Sequence, residues 1–187
     1  MKANKFLYDA IFLDRDGTLN PDPGYISSLD DFKLYSFTIE SLKLLSLISQ
    51  YIFIVTNQSG ISRGLIEQKE LDKIHSFLLR TFENENIFIS RLYICTDLPE
   101  TGSTRRKPES GMFLEAESEY PINLKNCIMI GDSINDILSG KKLAMDTMLV
   151  LTGNGKKTNE LFSDKLKSDF IVKDLLEGAT ILTGMQA

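Results

Sequence analysis

Short apolar runs, each stopped by polar residues, recur along this chain and constrain its fold more than any other feature. Six runs have the length and composition of buried strands, at residues 10–13, 52–55, 87–94, 127–130, 148–151 and 170–172. Between them, apolar residues recur at helical spacing over residues 39–49, 67–82, 111–120 and 134–143. Strands that alternate with helices predict an α/β fold, a three-layer, doubly wound and mostly parallel sheet, with residues 1–187 in a single domain.

Four of the predicted strands end in polar clusters rich in acids, amides, hydroxyls and glycine. These clusters occupy residues 14–20, 56–60, 131–136 and 152–155. In open α/β sheets, ligands bind beyond the carboxyl ends of the strands. We therefore expect the four clusters to meet at one site.

The first cluster carries two carboxylates, Asp14 and Asp16, which can face one ligand when the backbone curls at Gly17. An ionised aspartate attacks phosphorus without the help of a base. The leaving alkoxide needs a proton, however, and the later hydrolytic water must lose one. We therefore interpret Asp14 as the nucleophile of a phospho-aspartate route and Asp16 as its general acid and then base. The alternative is that both acids serve only in a turn or a helix cap.

A phosphate held between two carboxylates requires a cation, and hard oxygen ligands favour Mg²⁺. Asp132 supplies a third carboxylate at the end of another predicted strand. Asp136 follows one helical turn later and is either a further ligand or a support for the ligands. A helix cap is the competing interpretation of both acids, and it competes most strongly for Asp136.

The phosphate oxygens also need hydrogen-bond donors and positive charge. Thr56 and Asn57 end the second predicted strand, and Gly60 lets backbone N–H groups approach an anion. Lys107 can neutralise both the nucleophile and the transferring phosphoryl group. Its neighbours Arg105 and Arg106 are either a clamp for a second anionic group or residues of a solvated loop.

Composition places the chain among ordinary globular proteins and argues against several partners. A net charge of −5 disfavours a nucleic-acid or anionic membrane footprint, and no apolar stretch approaches the ~18 residues that span a bilayer. Cys95 and Cys127 suggest no disulfide framework, and the N-terminus reads as no signal peptide, so we expect a cytoplasmic protein. We expect a monomer, with Cys127 in the core and His75 as a surface or packing residue.

With these clusters named, the sequence resembles the haloacid dehalogenase superfamily of phosphatases. Residues 14–18 match its first motif, Thr56 the second, Lys107 the third, and Gly131-Asp132 with Asp136 the fourth. Further matches resemble the histidinol-phosphate and heptose-bisphosphate phosphatase branch, at residues 14–20, 24–25, 56–61, 63–64, 106–108, 111–112 and 152–153. The resemblance implies a Rossmann-like sheet without a large cap domain.

The resemblance also implies roles for individual residues. Mg²⁺ would bind Asp14, the backbone carbonyl of Asp16, and Asp132, while Thr56 and Lys107 would stabilise the phosphoryl group. The substrate would contact a set of loop residues: Gly24, Tyr25, Asn57, Gln58, Ser59, Gly60, Arg63, Arg105 and Arg106. A phosphorylated sugar is the implied substrate, with a heptose bisphosphate placed ahead of histidinol phosphate.

Residues 95–105 depart from the pattern of this branch, in which many members carry a zinc loop of three cysteines and a histidine. Only Cys95 matches that loop, and one thiolate cannot hold a tetrahedral structural zinc, so we predict no zinc. Polynucleotide 3′-phosphatases share the motifs, but the chain has no long basic or aromatic track. An inactive phosphate-binding module is disfavoured because no acid of the motif set is replaced.

Overall fold

The computed structural model describes residues 6–162 and 167–186, and these residues form one six-stranded sheet. Its strands are β1 Tyr8–Leu13, β2 Ser49–Asn57, β3 Arg91–Cys95, β4 Cys127–Gly131, β5 Asp146–Val150 and β6 Phe170–Val172. The spatial order is β3-β2-β1-β4-β5-β6, and every neighbouring pair is parallel. The doubly wound parallel sheet predicted from the sequence is confirmed, and the strand order reverses between β1 and β4.

Six α-helices flank this sheet in the part of the chain that the structure describes. They are α1 Thr38–Ile48, α2 Gln68–Asn84, α3 Gly111–Glu119, α4 Ile134–Lys142, α5 Gly155–Glu160 and α6 Leu175–Gln186. Within the described residues, the segment between β1 and α1 contains only a short 3-10 turn at Leu29–Asp31, and no cap domain is inserted there. No described helix has the length and apolar character needed to cross a bilayer.

Alternate residues of β1 enter two separate cores, which makes the fold three-layered. Ile11 and Leu13 join the larger core with apolar residues of α1, α2 and α6. Ala10 and Phe12 join a second core that includes Met112, Phe113 and Ala116 of α3. Because successive strand side chains point to opposite faces, a strand buried on both faces must be apolar throughout. The continuous apolar runs of the sequence have this origin.

One predicted strand begins later than expected. Residues 87–90 of the predicted strand 87–94 lie ahead of β3, and Ile87 N–H donates to the carbonyl of Phe82 at the end of α2. Asn86 adopts a left-handed conformation with φ of 58° that turns the chain out of the helix. Ile87 is nevertheless buried in the larger core, so its apolar character reflects packing rather than strand pairing. Helices α5 and α6 were not predicted.

Candidate active site

A cavity of about 330 Å³ opens at the carboxyl ends of β1, β2 and β4. It lies where the strand order reverses, which is where ligands bind in open α/β sheets. Its lining includes most of the residues expected from the sequence: Asp14, Asp16, Gly24, Tyr25, Thr56, Asn57, Gln58, Ser59, Gly60, Arg106, Lys107 and Asp132. Arg63 and Arg105 do not line it. The expected meeting of the polar clusters therefore occurs, because parallel strands deliver their loops to one edge.

Lys107 is the central cation of this cavity. Its buried ammonium group lies 2.7 Å from Asp14 Oδ1 and 2.6 Å from Asp136 Oδ1, and it donates to the carbonyl of Val55 at 2.7 Å. Burial alone would lower the pKa of Lys107, but the two carboxylates raise it above its usual value. Lys107 therefore stays protonated and holds the side chain of Asp14 at the end of β1.

The loop that carries Lys107 is fastened to β2 by a pair of hydrogen bonds. The side-chain amide of Asn57 donates to the carbonyl of Lys107 at 3.0 Å, and its oxygen accepts from the Lys107 N–H at 3.1 Å. Asn57 lines the cavity, yet both ends of its amide are engaged with this loop. Its structural contribution is to place Lys107 opposite β1.

Three buried acids crowd the same end of the cavity. Asp14, Asp132 and Asp136 each offer an oxygen, and these atoms lie within 4.8 Å of one another. Burial first, and then the neighbouring carboxylates, raises the pKa of Asp14 despite the attraction of Lys107. The same causes raise the pKa of Asp132 to about 7. One ammonium group does not balance three carboxylates, so this oxygen-only cluster fits a hard divalent cation such as Mg²⁺.

Asp136 supports this cluster from the start of α4. Its Oδ2 accepts from the N–H of Ser133 at 3.0 Å and from the Ser133 hydroxyl at 2.7 Å, which forms a capping box. Its Oδ1 pairs with Lys107. Both oxygens are engaged, so the structure favours the helix cap and the support of Lys107 over a ligand role for Asp136.

Two glycines and a tight loop hold Asp132 in place. A Cβ atom on Gly17 or on Gly153 would collide with the Asp132 carboxylate, and both glycines have positive φ. Asp132 Oδ2 also accepts from the N–H of Asn154 at 2.6 Å. Thr152 donates its hydroxyl to the carbonyl of Gly17 at 2.6 Å, which joins the loop after β5 to the loop after β1. Asp132 is thereby confined beside Asp14.

Asp16 occupies a different environment, rich in donors. Arg15 donates to both of its oxygens, at 3.0 Å from Nε and 2.8 Å from Nη2. Asn20 adds a bond to Oδ1 at 2.8 Å, and Gln58 adds one to Oδ2 at 2.7 Å. Burial would raise the pKa of Asp16, but Arg15 and these amides outweigh it and lower the pKa below its usual value. Gln58, expected to contact substrate, thus binds Asp16.

The two arginines of the loop before Lys107 face different surroundings. Arg106 lines the cavity, and its Nη1 donates to the carbonyl of Asp97 at 3.0 Å. Arg105 pairs with Glu115 of α3 at 2.8 Å and donates to the carbonyl of Ile94 at 3.1 Å. Of the predicted clamp, the structure brings only Arg106 to the cavity.

Residues 95–105 are held by a hydrogen-bonded network around Asp97. Its Oδ2 accepts from the hydroxyl of Ser103 at 2.5 Å and from the buried thiol of Cys95 at 3.5 Å. The Ser103 hydroxyl accepts from the N–H of Arg105 at 3.2 Å. Because Asp97 also accepts from Arg106 through its carbonyl, this network links the loop to the arginine in the cavity. The prediction of no zinc stays a prediction.

Several lining residues were not identified from the sequence. Asp22, Asn135 and Asn154 border the cavity, and Asn154 Nδ2 donates to Asp22 Oδ2 at 3.2 Å. Asn154 lies in a polar cluster already recognised after the fifth strand, so its position could have identified it. Asp22 follows the first cluster without any distinguishing pattern.

Comparisons with known proteins agree with this fold. A model of HAD-hydrolase-like proteins matches residues 104–178. The chain is 35% identical over 153 residues to D-glycero-alpha-D-manno-heptose-1,7-bisphosphate 7-phosphatase of Campylobacter jejuni, covering 82% of this chain and 87% of the relative. It is 31% identical over 185 residues to the D-glycero-beta-D-manno-heptose-1,7-bisphosphate 7-phosphatase of Pasteurella multocida, covering 95% and 98%.

A solved structure of a heptose bisphosphate phosphatase has a similar fold. The D,D-heptose 1,7-bisphosphate phosphatase of B. bronchiseptica, complexed with magnesium and phosphate, superimposes with a TM-score of 0.86 at 28% identity, covering 95% of this chain and 99% of that one. Fold and site therefore define a phosphatase of the haloacid dehalogenase-like class. Within that class, the chain belongs to the heptose-1,7-bisphosphate 7-phosphatase family.

Proposed function

We propose that this chain is a cytoplasmic, Mg²⁺-dependent phosphatase that removes the 7-phosphate of D-glycero-D-manno-heptose 1,7-bisphosphate in nucleotide-heptose biosynthesis. The observation that carries the proposal is the position of Asp14. Its carboxylate lies at the end of β1, in the cavity, 2.7 Å from Lys107 and beside Asp132. An aspartate held against a lysine, next to a second carboxylate, is suited to attack a phosphate ester.

In this proposal Asp14 attacks phosphorus and forms a phospho-aspartate. Lys107 holds Oδ1, which leaves Oδ2 to form the new bond to phosphorus as the bond to the sugar oxygen breaks. Four donors keep Asp16 a carboxylate in the free site, so in this proposal the negative charge of the bound phosphate raises the pKa of Asp16, which takes up the proton that it then gives to that oxygen. As a carboxylate, it then takes a proton from the water that attacks the phospho-aspartate, releasing phosphate and restoring Asp14. Thr56 and Lys107 stabilise the charge on the phosphoryl oxygens.

The carboxylates of Asp14 and Asp132, with the backbone carbonyl of Asp16, would hold Mg²⁺. The cation would supply positive charge against the phosphate and the crowded acids. The raised pKa values of Asp14 and Asp132 support this assignment, because both carboxyl groups lack sufficient compensating charge.

Substrate choice would depend on the outer part of the cavity. Arg106 is the cation available there for a second phosphate, and a guanidinium group can donate two parallel hydrogen bonds to phosphate oxygens. The half-exposed ring of Tyr25 lies near Gly60, where an added Cβ would press on that ring and on Ile66. Tyr25, Gly60 and Ile66 thus pack closely together in the lining of the cavity, beside the position proposed for the transferring phosphate.

The test is phosphate release, with and without Mg²⁺, from both anomers of heptose 1,7-bisphosphate, histidinol phosphate and a 3′-phosphorylated oligonucleotide. We expect Mg²⁺-dependent preference for a heptose bisphosphate. Arg106→Ala should lower kcat/KM for that substrate about 10- to 100-fold, while Arg105→Ala, which leaves the cavity intact, should change it less than about threefold. Preference for histidinol phosphate would contradict the proposed substrate. No turnover of any of these esters would contradict the proposed phosphatase activity.

A further inference from the structure

His75 is a buried titratable residue to which the proposed reaction gives no role. It lies in α2, is only 5% exposed, and contributes nothing to the cavity lining. Its Nε2 lies 2.8 Å from Nη1 of Arg15, a residue 60 positions earlier in the sequence. From the sequence we expected a surface or packing residue, and the structure gives His75 a specific polar partner in Arg15.

The contact with Arg15 fixes the protonation state of the imidazole. A guanidinium group only donates hydrogen bonds, so His75 Nε2 must accept, and the ring carries its proton on Nδ1. Burial first, and then the charge of Arg15, lowers the pKa of His75 to about 4. His75 is therefore a neutral acceptor near neutral pH.

Arg15 is enclosed on every side that the contacts describe. Its side chain is 1% exposed, and its Cζ lies 5.9 Å from the ring centroid of Phe32. Nε and Nη2 bind the two oxygens of Asp16, and Nη1 binds His75. Since the guanidinium group is planar and rigid, fixing Nη1 also fixes the two donors that face Asp16.

We propose that His75 is a positioning residue for proton transfer, holding the Arg15 guanidinium so that Asp16 stays directed at the leaving oxygen. The inference rests on the proposed acid–base role of Asp16. Replacing the acceptor leaves a buried Nη1–H without its partner, and the arginine must tilt to satisfy it. A tilt loosens Asp16 without altering Asp14, Lys107 or the arginine that faces substrate.

The test measures kcat/KM for phosphomonoesters whose leaving groups range from alkyl alcohols to nitrophenol. His75→Leu removes the acceptor, whereas His75→Gln keeps an amide oxygen at similar reach. We expect His75→Leu to lower kcat/KM about 10- to 100-fold for alkyl esters but less than about threefold for the nitrophenyl ester, which needs no acid. For His75→Gln, kcat/KM for the alkyl esters should lie within about threefold of the wild-type value.

Two reference variants separate the possible failures. Phe82→Leu, in the buried face of the same helix, lowers stability without touching Arg15 and should leave the leaving-group dependence unchanged. Asp16→Asn should steepen that dependence strongly. If Asp16→Asn steepens it and His75→Leu does not, or if His75→Leu slows every ester equally, the positioning role is overturned while the proposed function stands. If Asp16→Asn itself leaves the dependence unchanged, the acid role in the proposed function fails.

Discussion

Asp14 and Asp16 leave the same strand two residues apart, yet they occupy opposite environments. Asp14 faces the acids Asp132 and Asp136, with Lys107 as the nearby cation. Asp16 accepts four hydrogen bonds from Arg15, Asn20 and Gln58. The pKa of Asp14 is raised and that of Asp16 is lowered.

The two sides of the site therefore differ in whether residues of the chain compensate the negative charge. The Asp16 side balances its charge with residues of the chain. The Asp14 side has an excess of negative charge, which burial makes costly and a divalent cation would offset. Two carboxyl groups whose surroundings push their pKa values apart commonly take different catalytic roles. Each prediction below changes one side and leaves the other in place.

Asp14→Asn should have the largest effect. The amide cannot form the phospho-aspartate, so we expect phosphate release to fall at least about a thousandfold for every ester tested. Circular dichroism should show an unchanged fold, because the amide keeps an oxygen for Lys107. A fully active Asp14→Asn protein would refute the nucleophile, and with it the assignment of the two sides.

Asp16→Asn should be impaired in a different way. With an aryl phosphate, the first step needs no acid, but hydrolysis of the phospho-aspartate still lacks its base. We expect steady-state turnover about 10²- to 10³-fold lower, preceded by a burst of aryl alcohol equal to the enzyme concentration. Rapid-quench measurements would detect the burst. Equal loss of both phases would remove the distinction between Asp14 and Asp16.

Lys107→Met tests the cation of the acidic side through stability. The substitution leaves two buried carboxylates without the ammonium group that now lies 2.7 Å and 2.6 Å from them. We expect the free energy of unfolding to fall by about 3–5 kcal/mol in urea titrations. Lys141→Met is the matched control, because its ion pair with Asp169 is more than a third exposed and should be worth at most about 1 kcal/mol. Equal losses would contradict the central position of Lys107.

The smallest effect concerns pH and follows from Asp132. Its pKa of about 7 in the fold exceeds the ordinary value of about 3.9, so the folded state binds this proton more tightly than the unfolded state. The resulting stability is full below about pH 4 and is lost as the pH rises through 7, and the part lost between about pH 5 and pH 8 is on the order of 1–3 kcal/mol.

Thermal melting in EDTA should therefore show a lower Tm at about pH 8 than at about pH 5. Asp132→Asn should remove part of that fall, and Mg²⁺ should raise the Tm at pH 8 by binding the folded protein alone. A fall that persists in full in Asp132→Asn would assign the effect to other groups.

Most of the sheet was predictable because burial on both faces leaves a plain pattern. The runs at 10–13, 52–55 and 127–130 lie wholly within observed strands. Residues 87–90 of the run 87–94 lie outside β3, although the N–H of Ser90 donates to the carbonyl of Ile52 in β2. An apolar pattern records burial and does not distinguish a strand from a packed loop. Helix α6 was missed because its apolar residues give no clear amphipathic period and its interior contains glycines.

The position of the site was predictable where chemistry requires a residue type, at the end of a strand for Asp14, Asp16 and Asp132 and on a loop for Lys107. Arg105 and Arg106 could not be told apart in sequence. Arg105 forms an ion pair with Glu115 of α3 and donates to the carbonyl of Ile94. Only the packing of α3 on the sheet brings Glu115 to the side of β3 where the Ile94 carbonyl lies.

The sequence by itself determined the class of fold and identified the acids that line the cavity, because strand burial and phosphate chemistry both act through residue type and local order. Tertiary structure decided how each acid is used. Asp136 became a cap and a partner of Lys107, and His75 came to face Arg15, 60 residues away. Hydrogen bonds and charges act over a few ångströms in space, so partners distant in sequence are defined only when the chain has folded.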